Sequence, residues 1–218
     1  VSKPRLLDLF CGAGGSARGY QMAGFHVTGV DIKPQPRYAG DVFIQGDAMT
    51  FPLDGFDAIH ASPPCQGYTL MNNRYPEQRE RHPQLVEAMR GRLAGRVYVM
   101  ENVVGAPLQK AIVLCGSHFG LGTVRHRVFE SSVLLMAPRC TCRGWRGHAG
   151  VFGQHPDGGR IWTRKDGHAP QRRAASLEDG RQRMGIDWME WPELTQAIPP
   201  SYTLHIGKQL LAALAVQP

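Results

Sequence analysis

The chain has 218 residues, 42% of them hydrophobic, which suffices for one α/β domain with a modest extra lobe and excludes two large domains. Its formal charge of +7 points to an acidic partner, and nucleic acid is the usual one for a soluble basic chain. No apolar run approaches the roughly 20 residues of a membrane helix, and residues 6–10 are too short for a secretory signal core. Five scattered cysteines (Cys11, Cys65, Cys115, Cys140, Cys142) suit free thiols better than a disulfide framework. A cytoplasmic protein without a membrane role is expected, and with no coiled-coil pattern, a monomer.

Residues 6–10 read as a buried first strand, and Cys11-Gly12-Ala13-Gly14-Gly15 follows at once. A helix is expected from Ser16, a good capping residue, to Gly24. Strand, glycine loop and helix start form a cradle whose backbone N–H groups can meet an anionic group. The second strand, 27–30, ends in Asp31, about 20 residues after the first glycine, where an acid can accept both hydroxyls of a ribose. An adenosine-containing cofactor follows, with nicotinamide dinucleotide and S-adenosylmethionine both open. The third apolar run, 42–44, leads to Gly46-Asp47-Ala48, where a second carboxylate can receive an adenine amino group.

A strand over 56–60 runs into Ala61-Ser62-Pro63-Pro64-Cys65-Gln66-Gly67, and the two prolines present Cys65 from a stiff, extended backbone. That is a mount for a nucleophile. Residues 72–81 form a polar loop without periodicity, and Leu85, Met89 and Leu93 mark the core face of the next helix. Residues 96–100 read as a strand followed by Glu101-Asn102-Val103, and residues 112–114 and 128–129 add further strands.

From 138 to 183 glycine, arginine and histidine replace periodic apolar residues. Arg139, Arg143, Arg146, Arg160, Arg164, Lys165, Arg172, Arg173, Arg181 and Arg183 are interleaved there with Trp145, Phe152 and Trp162, a pattern suited to phosphate contact and stacking. Cys140 and Cys142 with His148 and His155 fit no standard zinc spacing, so no metal is expected and a basic loop is the stronger reading. A closing helix over 202–216 is expected to bury Leu204, Gly207, Leu211 and Leu214 and to pack beside the first helix.

Asp8-Leu9-Phe10-Cys11-Gly12-Ala13-Gly14-Gly15, Pro63-Pro64-Cys65-Gln66 and Glu101-Asn102-Val103 together resemble the cytosine carbon-5 methyltransferase family in order and spacing, from residue 5 to about 135 and again near the C-terminus. The resemblance implies a doubly wound, mostly parallel sheet of the Rossmann-like S-adenosylmethionine-dependent kind. It divides the chain into a catalytic and cofactor-binding core (1–137), a short basic target-recognition insertion (138–183) and a return to the core (184–218). It implies S-adenosylmethionine as methyl donor, bound by Phe10, Gly12, Gly14, Asp31, Ile32, Asp47, Ala48, Pro64, Gln196 and Ile198. Cys65 is the implied nucleophile toward carbon 6 of cytosine, with its thiolate favoured by nearby positive charge or dipoles. Glu101 is the implied donor at ring nitrogen 3, and Arg125 and Arg127 hold ring oxygen 2 and a phosphate. The family usually has Glu at Asp31, Gln at Thr123 and Asn at Gln196, and residues 72–81 correspond to its lid. The implied substrate is a flipped cytosine in DNA, with RNA or a free cytosine nucleotide as alternatives and a nonenzymatic cofactor- or nucleic-acid-binding module as a third. The short insertion implies relaxed or very short sequence specificity.

Overall fold

The computed structural model describes residues 2–68, 82–142, 147–159, 161–162 and 171–216, without the side chains of 161, 162 and 171. Its centre is the apolar run at the start of the chain. Strand β1 (Arg5–Leu9) alternates its side chains between two layers: Leu6 joins a cluster with Tyr20, Phe25, Val27, Val99, Phe129 and Tyr202, while Leu7 and Leu9 join Val30, Ile59, Met89, Leu93 and Met100. A strand buried on both faces reads as a continuous apolar run, which is the mark of a parallel sheet covered by helices on both sides.

The remaining strands of that sheet are β2 (His26–Asp31), β3 (Val42–Gln45), β4 (Ala58–Ala61), β5 (Tyr98–Asn102), β6 (Ile112–Leu114) and β7 (Arg127–Ser131). Their order is β3-β2-β1-β4-β5-β7-β6, parallel from β3 through β5, with β7 antiparallel to β5 and β6 antiparallel to β7. The strand order reverses between β1 and β4. A doubly wound sheet opens its ligand crevice at such a switch point, beyond the carboxyl ends of the strands.

Helix α1 (Gly15–Ala23) is capped by Gly14 in the left-handed region, not by Ser16 as the sequence suggests. Ser16 is buried inside the first turn, where its hydroxyl donates to Asp8 Oδ2 at 2.6 Å, so the partner beneath it outcompetes the capping role. On the other face, α2 (Val86–Arg92) buries Val86 and Met89, and Leu93 just beyond it is also buried.

After β7 come a short ribbon of β8 (Ile161–Trp162) and β9 (Gln171–Arg172), then α3 (Leu177–Met184), α4 (Trp191–Gln196) and α5 (Pro200–Leu214). Helix α5 packs on α1 as expected, but on a different stripe: Tyr202, Thr203, Ile206, Gly207 and Leu210 are buried, whereas Leu204, Leu211 and Leu214 are only partly covered. The reason lies in α1. A side chain at Gly19 would collide with Pro200 O and Thr203 Oγ1, so the helices cross closely there and Thr203 donates to Ser16 O at 2.8 Å.

The described part of the insertion is packed rather than a basic loop. Ala149, Val151 and Ala174 are buried in a third apolar cluster with Ala13, Met184, Trp191 and Leu194. Helix α3, capped by Ser176, crosses the expected boundary at 183/184. No helix among the described residues is long and apolar enough to cross a membrane.

Candidate active site

The turn after β1 begins with strain. Phe10 sits at φ 59, which is rare for a bulky side chain and marks a position held by its surroundings. Gly12 (φ 49) and Gly14 (φ 82) carry the chain onward through the left-handed region. A side chain at Gly14 would strike Ala39 N and the Tyr38 ring, whereas one at Gly12 would meet nothing within 4 Å. Gly12 therefore faces open space at the switch point. Asp31 closes the loop from β2, with Oδ2 accepting from Gly12 N and Oδ1 from Lys33 N, both at 3.0 Å, and each oxygen retains lone-pair capacity for a hydroxyl. Beside it Ile32 is 67% exposed, leaving an apolar surface open to a ligand. Asp47 is exposed, and its Oδ1 accepts from Met49 N at 2.8 Å in a local turn, while Ala48 is buried beneath it. The open cradle, the two carboxylates and the uncovered Ile32 fit an adenosine-bearing group.

Cys65 lies on the neighbouring segment, between β4 and a single 3-10 turn (Gln66–Tyr68), and is partly buried. Asn102 fixes this segment by donating from Nδ2 to Pro63 O at 2.9 Å and accepting from Val103 N. Glu101 belongs to β5 itself, opposite Phe129, rather than following the strand. It is buried and pairs with Arg127, Nε to Oε1 at 3.0 Å. Burial raises its pKa above the ordinary carboxylate range, against the lowering pull of Arg127, Arg125 and a Ser62 hydrogen bond.

The environment of Cys65 corrects one expectation. Burial pushes the thiol up and Glu101 adds to this, and together they outweigh the lowering effects of Arg127 and Arg125. In the free protein the sulfur is therefore held as a thiol, because desolvating the anion costs more than two partly neutralised guanidiniums return.

A chain of hydrogen bonds beneath Glu101 had no signal in the sequence. Tyr20 Oη and His60 Nδ1 are 2.9 Å apart, His60 Nε2 and Ser62 Oγ are 2.9 Å apart, and Ser62 bonds to Glu101. Burial lowers His60 to about 3, so its ring is neutral and carries one N–H. If Ser62 donates to Glu101, its oxygen accepts from His60 Nε2–H, and Nδ1 accepts from Tyr20. The polarity of the whole chain then runs toward the carboxyl group. Asp8, also missed, lies buried beneath the glycine loop with Oδ1 unpartnered, and burial raises it to about 7.

The remaining implied residues scatter in role. Arg125 is buried, and its Nη atoms donate to Val151 O at 3.1 Å and Thr195 O at 2.6 Å, so it ties the insertion to the C-terminal return. Ile198 is a core residue whose carbonyl abuts Gly15, and Gln196 is exposed at the end of α4. Pro64 is partly buried next to Cys65. Trp188 braces the glycine loop by donating to Ala13 O at 2.9 Å.

Several insertion arginines hold the protein itself. Arg173 lies over the Phe152 ring at 4.8 Å, Arg181 bonds Met189 O, and Arg183 bonds Asp179, Gly122 O and Gly147 O. The expected lid at 72–81, together with Arg143, Trp145, Arg146, Arg160, Arg164, Lys165 and the side chain of Trp162, lies outside the described residues.

No family model and no curated relative matches the sequence. Solved structures do. A prophage-encoded E. coli protein named as a DNA modification methyltransferase superposes with a TM-score of 0.56 at 14% identity, covering 98% of this chain and 100% of that one. The chain shares that protein's fold. Entamoeba histolytica methyltransferase EhMeth gives a TM-score of 0.60 at 11% identity, covering 98% and 99% of the two chains, and S. pombe Dnmt2 methyltransferase gives 0.59 at 14%, covering 97% and 99%.

Proposed function

We propose that this protein is a cytosine carbon-5 methyltransferase acting on DNA with S-adenosylmethionine as methyl donor. The observation that carries the reading is the junction of Cys65 with the buried Glu101–Arg127 pair, beside an open glycine loop at the switch point of a methyltransferase fold. Carbon 5 of cytosine is a weak nucleophile while the ring is aromatic. Loss of the Cys65 thiol proton to solvent, addition of its sulfur at carbon 6 and proton donation at nitrogen 3 by Glu101 turn carbon 5 into an enamine-type nucleophile. Because burial makes Glu101 hold its proton more tightly than an ordinary carboxyl, it is suited to be the acid. S-Adenosylmethionine supplies an electrophilic sulfonium methyl, which Asp31, Asp47, Ile32 and the Gly12 loop would hold. Loss of the carbon 5 proton to solvent and expulsion of Cys65 restore the aromatic ring. In a duplex the base must leave the stack, at a cost of a few kcal/mol that protein contacts offset.

The test is methyl transfer from labelled S-adenosylmethionine to duplex DNA, RNA and cytidine nucleotides, comparing wild type with Cys65→Ala. Incorporation into DNA and its loss in Cys65→Ala are expected, together with a covalent adduct on 5-fluorocytosine DNA. Equal incorporation by the variant refutes the covalent route. Preference for RNA or nucleotide moves the substrate and leaves the chemistry standing.

A further inference from the structure

Away from Glu101 and the glycine loop, the fold gathers four side chains that the sequence does not place together. Cys115 follows β6, His126 precedes β7, and Cys140 and Cys142 stand at the entry to the insertion. Their ligand atoms, three Sγ and one imidazole nitrogen, all lie within 4.8 Å of one another. The two zinc candidates weighed on sequence with the Cys140/Cys142 pair, His148 and His155, are not part of this group.

The distances have the scale of a coordination polyhedron. His126 Nε2 is 3.5 Å from both Cys140 Sγ and Cys142 Sγ, and the two sulfurs are 3.2 Å apart. A tetrahedral zinc with Zn–S near 2.3 Å and Zn–N near 2.0–2.1 Å has S···N and S···S edges of about 3.6–3.8 Å. The sulfur pair is far too long for a disulfide; Cys115 is buried, Cys140 is exposed, and His126 and Cys142 are partly buried, so the cluster runs from the sheet outward to the surface. Cys140 Sγ also lies 3.7 Å from Ser117 Oγ and accepts from the Cys142 backbone N–H, the kind of outer hydrogen bonding that steadies a metal-bound thiolate.

We propose that Cys115, Cys140, Cys142 and His126 form a structural zinc site. Three thiolates and an imidazole favour zinc over hard, oxygen-seeking cations, and four protein ligands leave no open position for catalysis. Its mechanical role follows from position. His126 stands between Arg125, which ties the insertion to the return segment, and Arg127, which pairs with Glu101. A metal binding His126 to the cysteines on both flanks roots the start of the insertion on the β6–β7 hairpin and steadies that arginine strand. The ion is thus a clip between the reactive side of the sheet and the segment expected to meet the substrate.

The site is independent of the methyl-transfer chemistry and is tested without it. The full chain is purified without chelator from zinc-supplemented cells, and its metal content is measured by plasma mass spectrometry and by release to a chromogenic chelator during titration with a mercurial. About one zinc per chain is expected in wild type and in Cys65→Ala, with a loss of at least about tenfold in the Cys140→Ser/Cys142→Ser variant. Cobalt substitution of wild type should give tetrahedral d–d bands with thiolate charge transfer, and this reading stands even if the double variant folds poorly. Zinc-free folded wild type after zinc addition, full retention of metal by the double variant, or cobalt uptake without thiolate bands would each overturn the proposal.

Discussion

Asp8 gives the sharpest test of how this site stores free energy. Its carboxyl is fully buried, is raised to about 7 from an ordinary 3.8, and has Oδ1 without a partner while Ser16 satisfies Oδ2. Between those two values the folded chain holds a proton that the unfolded chain releases, so stability falls as pH rises through this window and the loss is complete above about 7. At about 1.36 kcal/mol per tenfold change in proton affinity, the ionised form costs at most about 4 kcal/mol. Asp8→Asn keeps an acceptor for Ser16 and cannot ionise, but it buries an unpaired N–H at about 1–3 kcal/mol. The variant should therefore be less stable than wild type near pH 4–5 and level with it or more stable above pH 8. Urea unfolding at a series of pH values gives the difference, in which the other titrating groups cancel. A difference that stays flat from pH 4 to 8.5 refutes the argument, since Asp8 would then be ionised at little cost in the fold.

Two further outcomes bear on the proposed chemistry. Glu101→Gln should slow methyl transfer by about a hundredfold and remove the alkaline fall of the pH–rate profile, because only the protonated acid donates and burial keeps it protonated above the usual carboxylate range. An unchanged alkaline limb in the kcat/KM profile assigns that limb to another group. Asp47→Ala, an exposed change, should weaken S-adenosylmethionine binding by about tenfold, or ~1.4 kcal/mol, in calorimetry, and unaltered affinity withdraws the adenine assignment.

The sequence by itself determined the sheet and the landmarks on it. A run such as Leu6-Leu7-Asp8-Leu9 is apolar on both faces, and short motifs at strand ends are legible because the backbone that presents them is local: the glycine loop, the Pro63-Pro64-Cys65 segment and Glu101 lie at the carboxyl ends of β1, β4 and β5. Tertiary structure alone decided how those groups are charged and braced. Desolvation leaves Cys65 a thiol despite its arginines, and Arg125 is drawn to Val151 and Thr195 carbonyls, partners 26 and 70 residues away. The Tyr20, His60, Ser62 and Glu101 chain crosses α1, β4 and β5, and the Cys115, His126, Cys140 and Cys142 cluster crosses the β6–β7 hairpin. Such convergence depends on which strands become neighbours in the sheet. Spacing along the chain carries no record of that pairing, so burial and long-range contact had to be seen in three dimensions before the chemistry of these side chains could be read.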